Sequence, residues 1–191
     1  MSHRRVEPGA LFGRRAPLVL EIGSGMGHST VVQAGADPST DILAVDVHTP
    51  GIAALLLKCE SAGVENVRAA IGDAVEVVEH MLSSQQLAGA RVFFPDPWPK
   101  IRHRKRRLIQ PEFVDLLVSR LRPGGFIHCA TDDLGYAEQM VDVFAGQRDL
   151  ENSSGGFTPR ISGRPLTKFE QRAARDGRQI ADVYVTRRVS T

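Results

Sequence analysis

The sequence has few of the residues that stabilise small secreted or metal-binding proteins. Cysteine occurs only twice among 191 residues, at Cys59 and Cys129, and neither belongs to a CxxC motif or to a Cys/His pattern with ligand spacing. Both lie in apolar segments, which predicts buried free thiols. The histidines also lack metal-ligand spacing, and no Ser/His/Asp or Cys/His catalytic pattern is present. We therefore expect no bound metal ion.

Long hydrophobic runs are also missing. No apolar stretch is long enough to cross a bilayer, and the arginine-bearing start of the sequence is not followed by the apolar core of a secretory signal. The composition, 42% hydrophobic and 24% charged, is typical of a soluble globular protein. We expect one domain over residues 1–191, a cytoplasmic location and no contact with membranes.

Net charge is small, but its distribution is uneven. The formal charge is only +2, yet six basic residues and no acidic residue occur between positions 100 and 107. They are Lys100, Arg102, Arg104, Lys105, Arg106 and Arg107. Such a run creates a strong local positive field, although a basic run found alone is more often a solvated surface.

Apolar runs alternate with helical patterns along most of the chain. This alternation predicts an α/β fold in which helices cover both faces of a mostly parallel sheet. The predicted strands are residues 16–22, 41–47, 65–71, 90–94 and 124–131, and the predicted helices are residues 27–35, 51–62, 74–86, 111–121 and 134–146. Pro123-Gly124-Gly125 is expected to end the helix before it and to turn the chain into the next strand.

The two ends of the chain differ from this pattern. Residues 1–16 are interpreted as an N-terminal arm. Residues 150–178 begin with a segment rich in Gly, Ser and Pro and continue into a charged helix, which predicts a substrate loop and helix. A short apolar run at 180–186 then predicts a last strand.

A glycine-rich segment, EIGSGMG at 21–27, follows the first predicted strand. Glycines at this position let the backbone turn sharply and approach a nucleotide closely. The spacing is GxGxG, because His28 occupies the third glycine position of a dinucleotide fingerprint. The Glu21 carboxylate would repel a pyrophosphate but could hold an amino group, which disfavours an NAD-dependent oxidoreductase.

Further acidic residues stand at the ends of later strands. Asp46 can accept hydrogen bonds from both hydroxyls of a ribose, and Asp73 can receive an adenine amino group. Together with GxGxG, these acids resemble the S-adenosylmethionine site of the class I methyltransferases, whose sheet is Rossmann-like and seven-stranded with an antiparallel edge hairpin. The sixth strand is the hardest to locate. The resemblance implies a cofactor site formed by Glu21, Gly23, Ser24, Gly25, Gly27, Asp46, Asp73, Ala74 and Asp96.

A proline-rich segment, FFPDPWPK at 93–100, follows the fourth predicted strand. Its alternating prolines stiffen it into an extended loop that cannot join the sheet. The resemblance to class I methyltransferases implies that Asp96, at the end of the fourth strand, faces the transferable methyl group and the incoming substrate. Asp96-Pro97-Trp98 is a variant of the (Asn/Asp)-Pro-Pro-aromatic loop of methyltransferases that modify adenine or cytosine amino groups. Trp98 could stack on a base or pack under the loop.

Four motifs in order resemble the tRNA (guanine-N7)-methyltransferase family. They are FFPDPWPK with the following KRR, ILAVDVHTPG at 42–51, ATDD at 130–133 and TKFEQR at 167–172. The resemblance covers nearly the whole chain. It departs at Ser24, at Asp46, where Glu is commoner, and in a shorter segment before the first strand.

The resemblance implies methyl transfer from S-adenosylmethionine to N7 of guanosine 46 in the variable loop of tRNA, with S-adenosylhomocysteine as product. Guanine N7 has a free lone pair and no proton, so the enzyme must align the reactants rather than remove a proton. Asp96 is the predicted catalytic residue.

Two further groups of residues are expected to contact tRNA, the first by the resemblance and the second because the basic run lies directly beside the FFPDPWPK loop. The predicted substrate residues are Lys100, Asp132, Thr167, Lys168, Phe169 and Glu170, and the predicted RNA contacts are Arg102, His103, Arg104, Lys105, Arg106 and Arg107. Glu170 could accept from the Watson–Crick edge of guanine. Thr167 and Glu170 also have the spacing of a helix capping box, and both roles are compatible.

Two other functions stay open at this point. One is a methyltransferase for a small molecule, which would not need the basic run. The other is a non-catalytic RNA-binding relative, which would not bind S-adenosylmethionine. The sequence does not decide between a monomer and a homodimer, or which tRNAs are modified.

Overall fold

Seven strands form one sheet in the computed structural model, which describes residues 5–161 and 163–189. The strands are β1 (Leu18–Ile22), β2 (Asp41–Asp46), β3 (Val67–Ile71), β4 (Leu87–Phe93), β5 (Leu121–Thr131), β6 (Leu150–Glu151) and β7 (Ala181–Arg187). Their order across the sheet is β3-β2-β1-β4-β5-β7-β6. Neighbours from β3 to β5 are parallel, whereas β7 runs antiparallel to both β5 and β6. The predicted α/β sheet with an antiparallel edge pair is confirmed.

Helices flank the sheet. They are α1 (Pro8–Phe12), α2 (His28–Ala36), α3 (Thr49–Ala62), α4 (Ala74–Glu76), α5 (Pro111–Arg120), α6 (Leu134–Gly146) and α7 (Lys168–Arg175). Residues 1–4 of the predicted N-terminal arm and residue 162 of the predicted substrate loop lie outside the described residues. None of the helices within the described ranges is long and apolar enough to span a membrane.

Strand β2 shows how the sheet separates two apolar cores. Leu43 and Val45 belong to the larger core, which includes apolar residues of α5 and α6, while Ile42 and Ala44 belong to a smaller core with α2 and α3. Successive side chains of a strand point to opposite faces, so a strand covered on both sides is apolar throughout. Cys59 and Cys129 are buried free thiols, as predicted.

Several predicted boundaries are wrong. The helix expected over 74–86 consists of the short α4 and a π-helix at Val77–Met81. Helix α5 ends at Arg120 and β5 begins at once, so Pro123-Gly124-Gly125 lies within the strand, where its pairing with β4 is irregular. Gly124 has a φ of 75°, a conformation that glycine adopts without strain. The basic run, for which no helix was predicted, forms a 3-10 helix at Ile101–Arg106.

The strand order reverses direction between β1 and β4. The connections from β1 lead outward through β2 to β3, whereas β4 starts the other half of the sheet on the opposite side of β1. In open sheets of this kind, the loops at the carboxyl ends of the two central strands separate and leave a crevice. The GxGxG and FFPDPWPK segments follow these two strands, so the fold brings both motifs to the same crevice.

Candidate cofactor and substrate site

The GxGxG loop crosses the end of β1 in a backbone conformation that requires glycine. Gly25 and Gly27 have φ values of 53° and 78°, in the left-handed region. A Cβ atom at Gly27 would lie 2.7 Å from the backbone of Leu55 in α3. These glycines therefore permit both the sharp turn and the close packing of the loop against α3.

The acids at the carboxyl ends of β2 and β3 order the backbone around them. Asp46 accepts hydrogen bonds from Gly25 N at 2.7 Å and from His48 N at 2.9 Å, which joins the glycine loop to β2. Asp73 caps α4 by accepting from Val75 N at 2.7 Å. Each carboxylate oxygen has more than one acceptor position, so both groups can also accept hydrogen bonds from a ligand.

Glu21 is a buried carboxyl group at the end of β1. Glu21 is 3% exposed, and its Oε2 has no hydrogen-bond partner among the described residues. Burial raises its pKa to about 7, although the positive charge of Arg91 acts in the opposite direction. Ser24 Oγ is likewise buried without a partner. These two unpaired groups fit a ligand that brings an amino group and further polar atoms into the crevice.

Two adjoining cavities open at the carboxyl ends of β1, β2 and β4, and we call them together the mouth. The first cavity contains Glu21, the glycine loop and residues 167–169 of the α7 segment in its wall. The second contains Asp46, Asp73, Ala74 and Asp96. They share Gly23, Phe93 and Phe94. The structure thus brings together all nine residues predicted to bind the cofactor, together with Thr167, Lys168 and Phe169 on the substrate side.

The FFPDPWPK loop bends sharply over the mouth. Phe94 and Trp98 have positive φ values of 53° and 40°, which bulky residues adopt only where their surroundings impose them. Phe94 stacks on Phe169, with ring centroids 5.8 Å apart and ring planes at 17°. No role was predicted for Phe94; its place in the motif, between β4 and Asp96, was the available signal. Asp96 is exposed at the second cavity.

Trp98 packs against the basic 3-10 helix. The Arg106 guanidinium lies 5.0 Å from the centre of its ring, and the His103 ring meets it edge to face at 5.9 Å. These contacts favour packing under the loop over stacking on a base. They also tie the basic helix to the loop that carries Asp96.

One residue of the basic run differs from its neighbours. Arg102, Arg104, Lys105 and Arg106 are exposed and His103 is half-buried, whereas Arg107 is only 3% exposed. Arg107 donates to the carbonyl oxygens of Pro97 at 2.8 Å and Gly135 at 3.2 Å and to Gln139 Oε1 at 2.8 Å. The prediction that Arg107 contacts RNA is wrong, because its guanidinium is enclosed between the FFPDPWPK loop and α6.

Lys100 and Asp132, two of the predicted substrate residues, lie outside the mouth. Lys100 is exposed at the start of the 3-10 helix, and Asp132 forms an ion pair with Arg178; neither lines the mouth.

Glu170 is 7% exposed, and its carboxylate accepts from Arg160 and Arg164. The expectation that Glu170 receives the guanine edge is therefore corrected. The half of the predicted capping box that involves the Thr167 side chain is confirmed, since Thr167 Oγ1 accepts from Glu170 N at 3.1 Å. Within the described ranges, no three His, Cys, Asp or Glu side chains are grouped as a metal ion would require.

Solved structures of methyltransferases share this fold. The 16S rRNA methyltransferase KamB has a TM-score of 0.66 at 16% identity, over 94% of this chain and 92% of that one. An rRNA methylase from Streptococcus thermophilus has a TM-score of 0.62 at 15% identity, over 91% and 88% of the two chains. A family model described as "Putative methyltransferase" matches residues 15–183. The fold and the site therefore define a class I S-adenosylmethionine-dependent methyltransferase.

Sequence relatives specify the family. Proteins named tRNA (guanine-N(7)-)-methyltransferase are 52% identical in Nitrosospira multiformis, over 95% of this chain and 80% of the relative, and 52% identical in Streptomyces coelicolor, over 97% and 69%. The chain belongs to the tRNA (guanine-N7)-methyltransferase family. The resemblance found in its motifs is confirmed.

Proposed function

We propose that the protein transfers a methyl group from S-adenosylmethionine to N7 of guanosine 46 in the variable loop of tRNA and releases S-adenosylhomocysteine. The observation that carries this proposal is the mouth itself, where the glycine loop and four carboxyl groups adjoin an exposed basic helix. Family membership supports the guanine-N7 target. The position within the tRNA rests on the family resemblance.

The two cavities would hold different parts of S-adenosylmethionine. Glu21 pairs with the amino group of the methionine moiety, which gives its unpaired Oε2 a charged partner. Asp46 accepts from the ribose hydroxyls, while Asp73 and the Ala74 backbone meet the adenine. Ser24 and the glycine loop contact the cofactor between its methionine and ribose moieties. When bound, S-adenosylmethionine supplies an electrophilic methyl group on its sulfonium centre.

Asp96 acts on the guanine side. Because N7 attacks with its own lone pair, the protein needs no strong base and instead aligns the purine and excludes water. Methyl transfer leaves positive charge on the purine, and the Asp96 carboxylate stabilises that charge and accepts from guanine N–H groups. The loop that holds Asp96 is anchored by Arg107 through the Pro97 carbonyl.

The surface beside the mouth receives the tRNA. Arg102, His103, Arg104, Lys105 and Arg106 contact phosphates, which contributes affinity but little base discrimination. Lys100 and Asp132 contact the substrate at the edge of this surface, and Thr167, Lys168 and Phe169 contact the target nucleotide from the opposite wall. The enzyme acts in the cytoplasm, as a monomer or a homodimer.

Methylation of tRNA transcripts with radiolabelled S-adenosylmethionine tests this function. A transcript with guanosine at position 46 should accept one methyl group, and a transcript that differs only by adenosine at that position should accept none. Equal incorporation would reject the assigned target. Digestion of the product to nucleosides should yield 7-methylguanosine, and any other methylated nucleoside would reject the assigned atom.

A further inference from the structure

The wall formed by residues 167–169 is held by few apolar contacts. Helix α7, which begins in this wall, is short and highly charged, and its only buried residues are Glu170 and Ala173. A helix of this length is not stable by itself and depends on tertiary contacts. Its position at the mouth therefore requires another anchor.

That anchor is a buried arginine in the preceding loop. The Arg164 side chain is 1% exposed and faces two carboxylates from different elements. Towards α7, its Nη1 donates to Glu170 Oε2 at 2.7 Å and its Nη2 donates to Glu170 Oε1 at 3.0 Å. Towards β7, Nη2 donates to Asp182 Oδ2 at 3.0 Å, and Nε lies 2.8 Å from Asp182 Oδ1 in an ion pair without hydrogen-bond alignment.

The β7 side of this arrangement is fixed in the sheet. Asp182 is 2% exposed at its side chain and its Oδ1 lies 2.7 Å from His128 Nε2 on β5. The Asp182 carbonyl also accepts from Thr158 N at 2.8 Å, which joins the substrate loop to the same residue. Arg164 lies 5.9 Å from the ring of Phe93, which lines both cavities. Arg164 thus connects the edge of the sheet to the wall of the mouth.

Two arginines and two carboxyl groups meet around Arg164. Arg160 adds a second cation, with Nε 3.0 Å from Glu170 Oε1 and with Nη2 donating to the Arg164 carbonyl at 2.6 Å. Burial by itself would raise the pKa of Glu170, but hydrogen bonds and charges from Arg164 and Arg160 outweigh it and lower the pKa. We call Arg160, Arg164, Glu170, Asp182 and His128 the Arg164 cluster.

We propose that Arg164 is a positioning residue for methyl transfer, which fixes α7 so that Thr167, Lys168 and Phe169 form the substrate wall opposite the glycine loop. The proposal rests on the function proposed above. Only a planar guanidinium can face two carboxylates at once with paired contacts, so lysine should not replace it. Arg164 acts through Glu170 and does not touch the reacting atoms.

The test uses Arg164→Lys, with Arg122→Leu as the control. Arg122 is an exposed arginine at the start of β5, the end of that strand away from the mouth. With tRNA and cofactor both saturating, we expect Arg164→Lys to lower the single-turnover rate at least tenfold, with S-adenosylmethionine affinity within about threefold of the original protein. Arg122→Leu should change neither quantity.

Hydrogen exchange provides a readout that does not depend on activity. In Arg164→Lys, the amides of α7 should exchange at least tenfold faster, whereas those of β1, β2 and β4 should be unchanged. Faster exchange throughout the sheet would show a general structural role and would overturn the proposal. A single-turnover rate and α7 exchange equal to those of the original protein would overturn it as well.

A second variant covers the case in which Arg164→Lys does not fold. Glu170→Gln keeps the side-chain shape and the backbone N–H that Thr167 caps, but removes the charge that Arg164 pairs with. It should show the same localised exchange and a smaller loss of rate, and unchanged behaviour would contradict the positioning role. If the original protein fails to methylate guanosine 46, the proposed function fails, while the exchange experiment still decides whether Arg164 anchors α7.

Discussion

The two walls of the mouth are constructed by different means. The cofactor wall consists of strand ends and the turns directly after them, and its order comes from short-range contacts such as that between Asp46 and the Gly25 amide. The substrate wall comes from a segment far along the chain and depends on a buried arginine that joins α7 to β7. A ligand site can thus combine a wall made by backbone geometry with one made by buried charges.

The largest effect should come from the loop between the two walls. Asp96→Ala removes the charge that we assign to stabilising the methylated purine, and it should lower the single-turnover rate about 10² to 10³-fold. Calorimetric affinity for S-adenosylmethionine should fall less than tenfold, because the other carboxyl groups remain. A full methylation rate in this variant would contradict the catalytic assignment.

The second-largest effect should be a loss of stability that distinguishes Arg107 from Arg104 in the basic run. Arg107→Leu leaves the carbonyl groups of Pro97 and Gly135 without their donor and should cost about 2–4 kcal/mol of unfolding free energy. Arg104→Leu, at an exposed position, should change it by about 0.5 kcal/mol or less. Chemical denaturation of both variants measures the difference, and equal stabilities would contradict the buried role of Arg107.

Glu21 should make the stability of the protein depend on pH. The Glu21 pKa rises from 4.5 to about 7 in the folded protein, so the folded state holds a proton that the unfolded state releases between these values. Stability from this group is complete below pH 4.5 and is lost as pH rises through 7. The full difference, 2.5 pH units, corresponds to about 3 kcal/mol.

Glu21→Gln should therefore be more stable than the original protein at pH 8, by up to about 3 kcal/mol, and equally stable at pH 4. The same change should weaken S-adenosylmethionine binding about tenfold or more, since it removes the charged partner of the amino group. Denaturation at the two pH values and calorimetry measure these effects. A variant that loses stability at pH 8 would contradict the account of Glu21.

The smallest effect concerns the exposed basic residues. Replacing Arg102, Arg104 and Lys105 together by alanine should raise the KM for tRNA roughly tenfold and weaken its dependence on salt, since fewer phosphates are neutralised. Stability should hardly change. Titrations of KM against salt concentration check this prediction, and an unchanged slope would favour a small-molecule substrate over tRNA.

Sequence patterns predicted where the glycines and carboxyl groups of the mouth lie, because their positions depend on local features of the chain. Glu21 and Asp46 lie at the carboxyl ends of β1 and β2, and the glycines and Asp73 follow β1 and β3 within a few residues. The carboxyl ends of parallel strands meet at one edge of the sheet. Placing the residues on strands therefore placed them together. The apolar character of β1 and β2 was sufficient for that step.

The substrate wall could not be predicted in the same way. Nothing in the spacing of Arg164, Glu170 and Asp182 indicates that they meet, because their contact depends on how the 152–180 segment returns to the sheet. The burial of Arg107 has the same cause: within the basic run, only packing against α6 distinguishes it from Arg106. The π-helix after α4 and the two-residue β6 are likewise too short to leave a clear periodic pattern.

The most direct test of methyl transfer to guanine N7 replaces that single atom of the tRNA. A tRNA that carries 7-deazaguanosine at position 46 keeps the shape and the Watson–Crick edge of guanosine but has a C–H group in place of N7. We expect this tRNA to bind with nearly the same affinity as the guanosine form and to accept no methyl group from radiolabelled S-adenosylmethionine. Incorporation equal to that of the guanosine form would contradict the account.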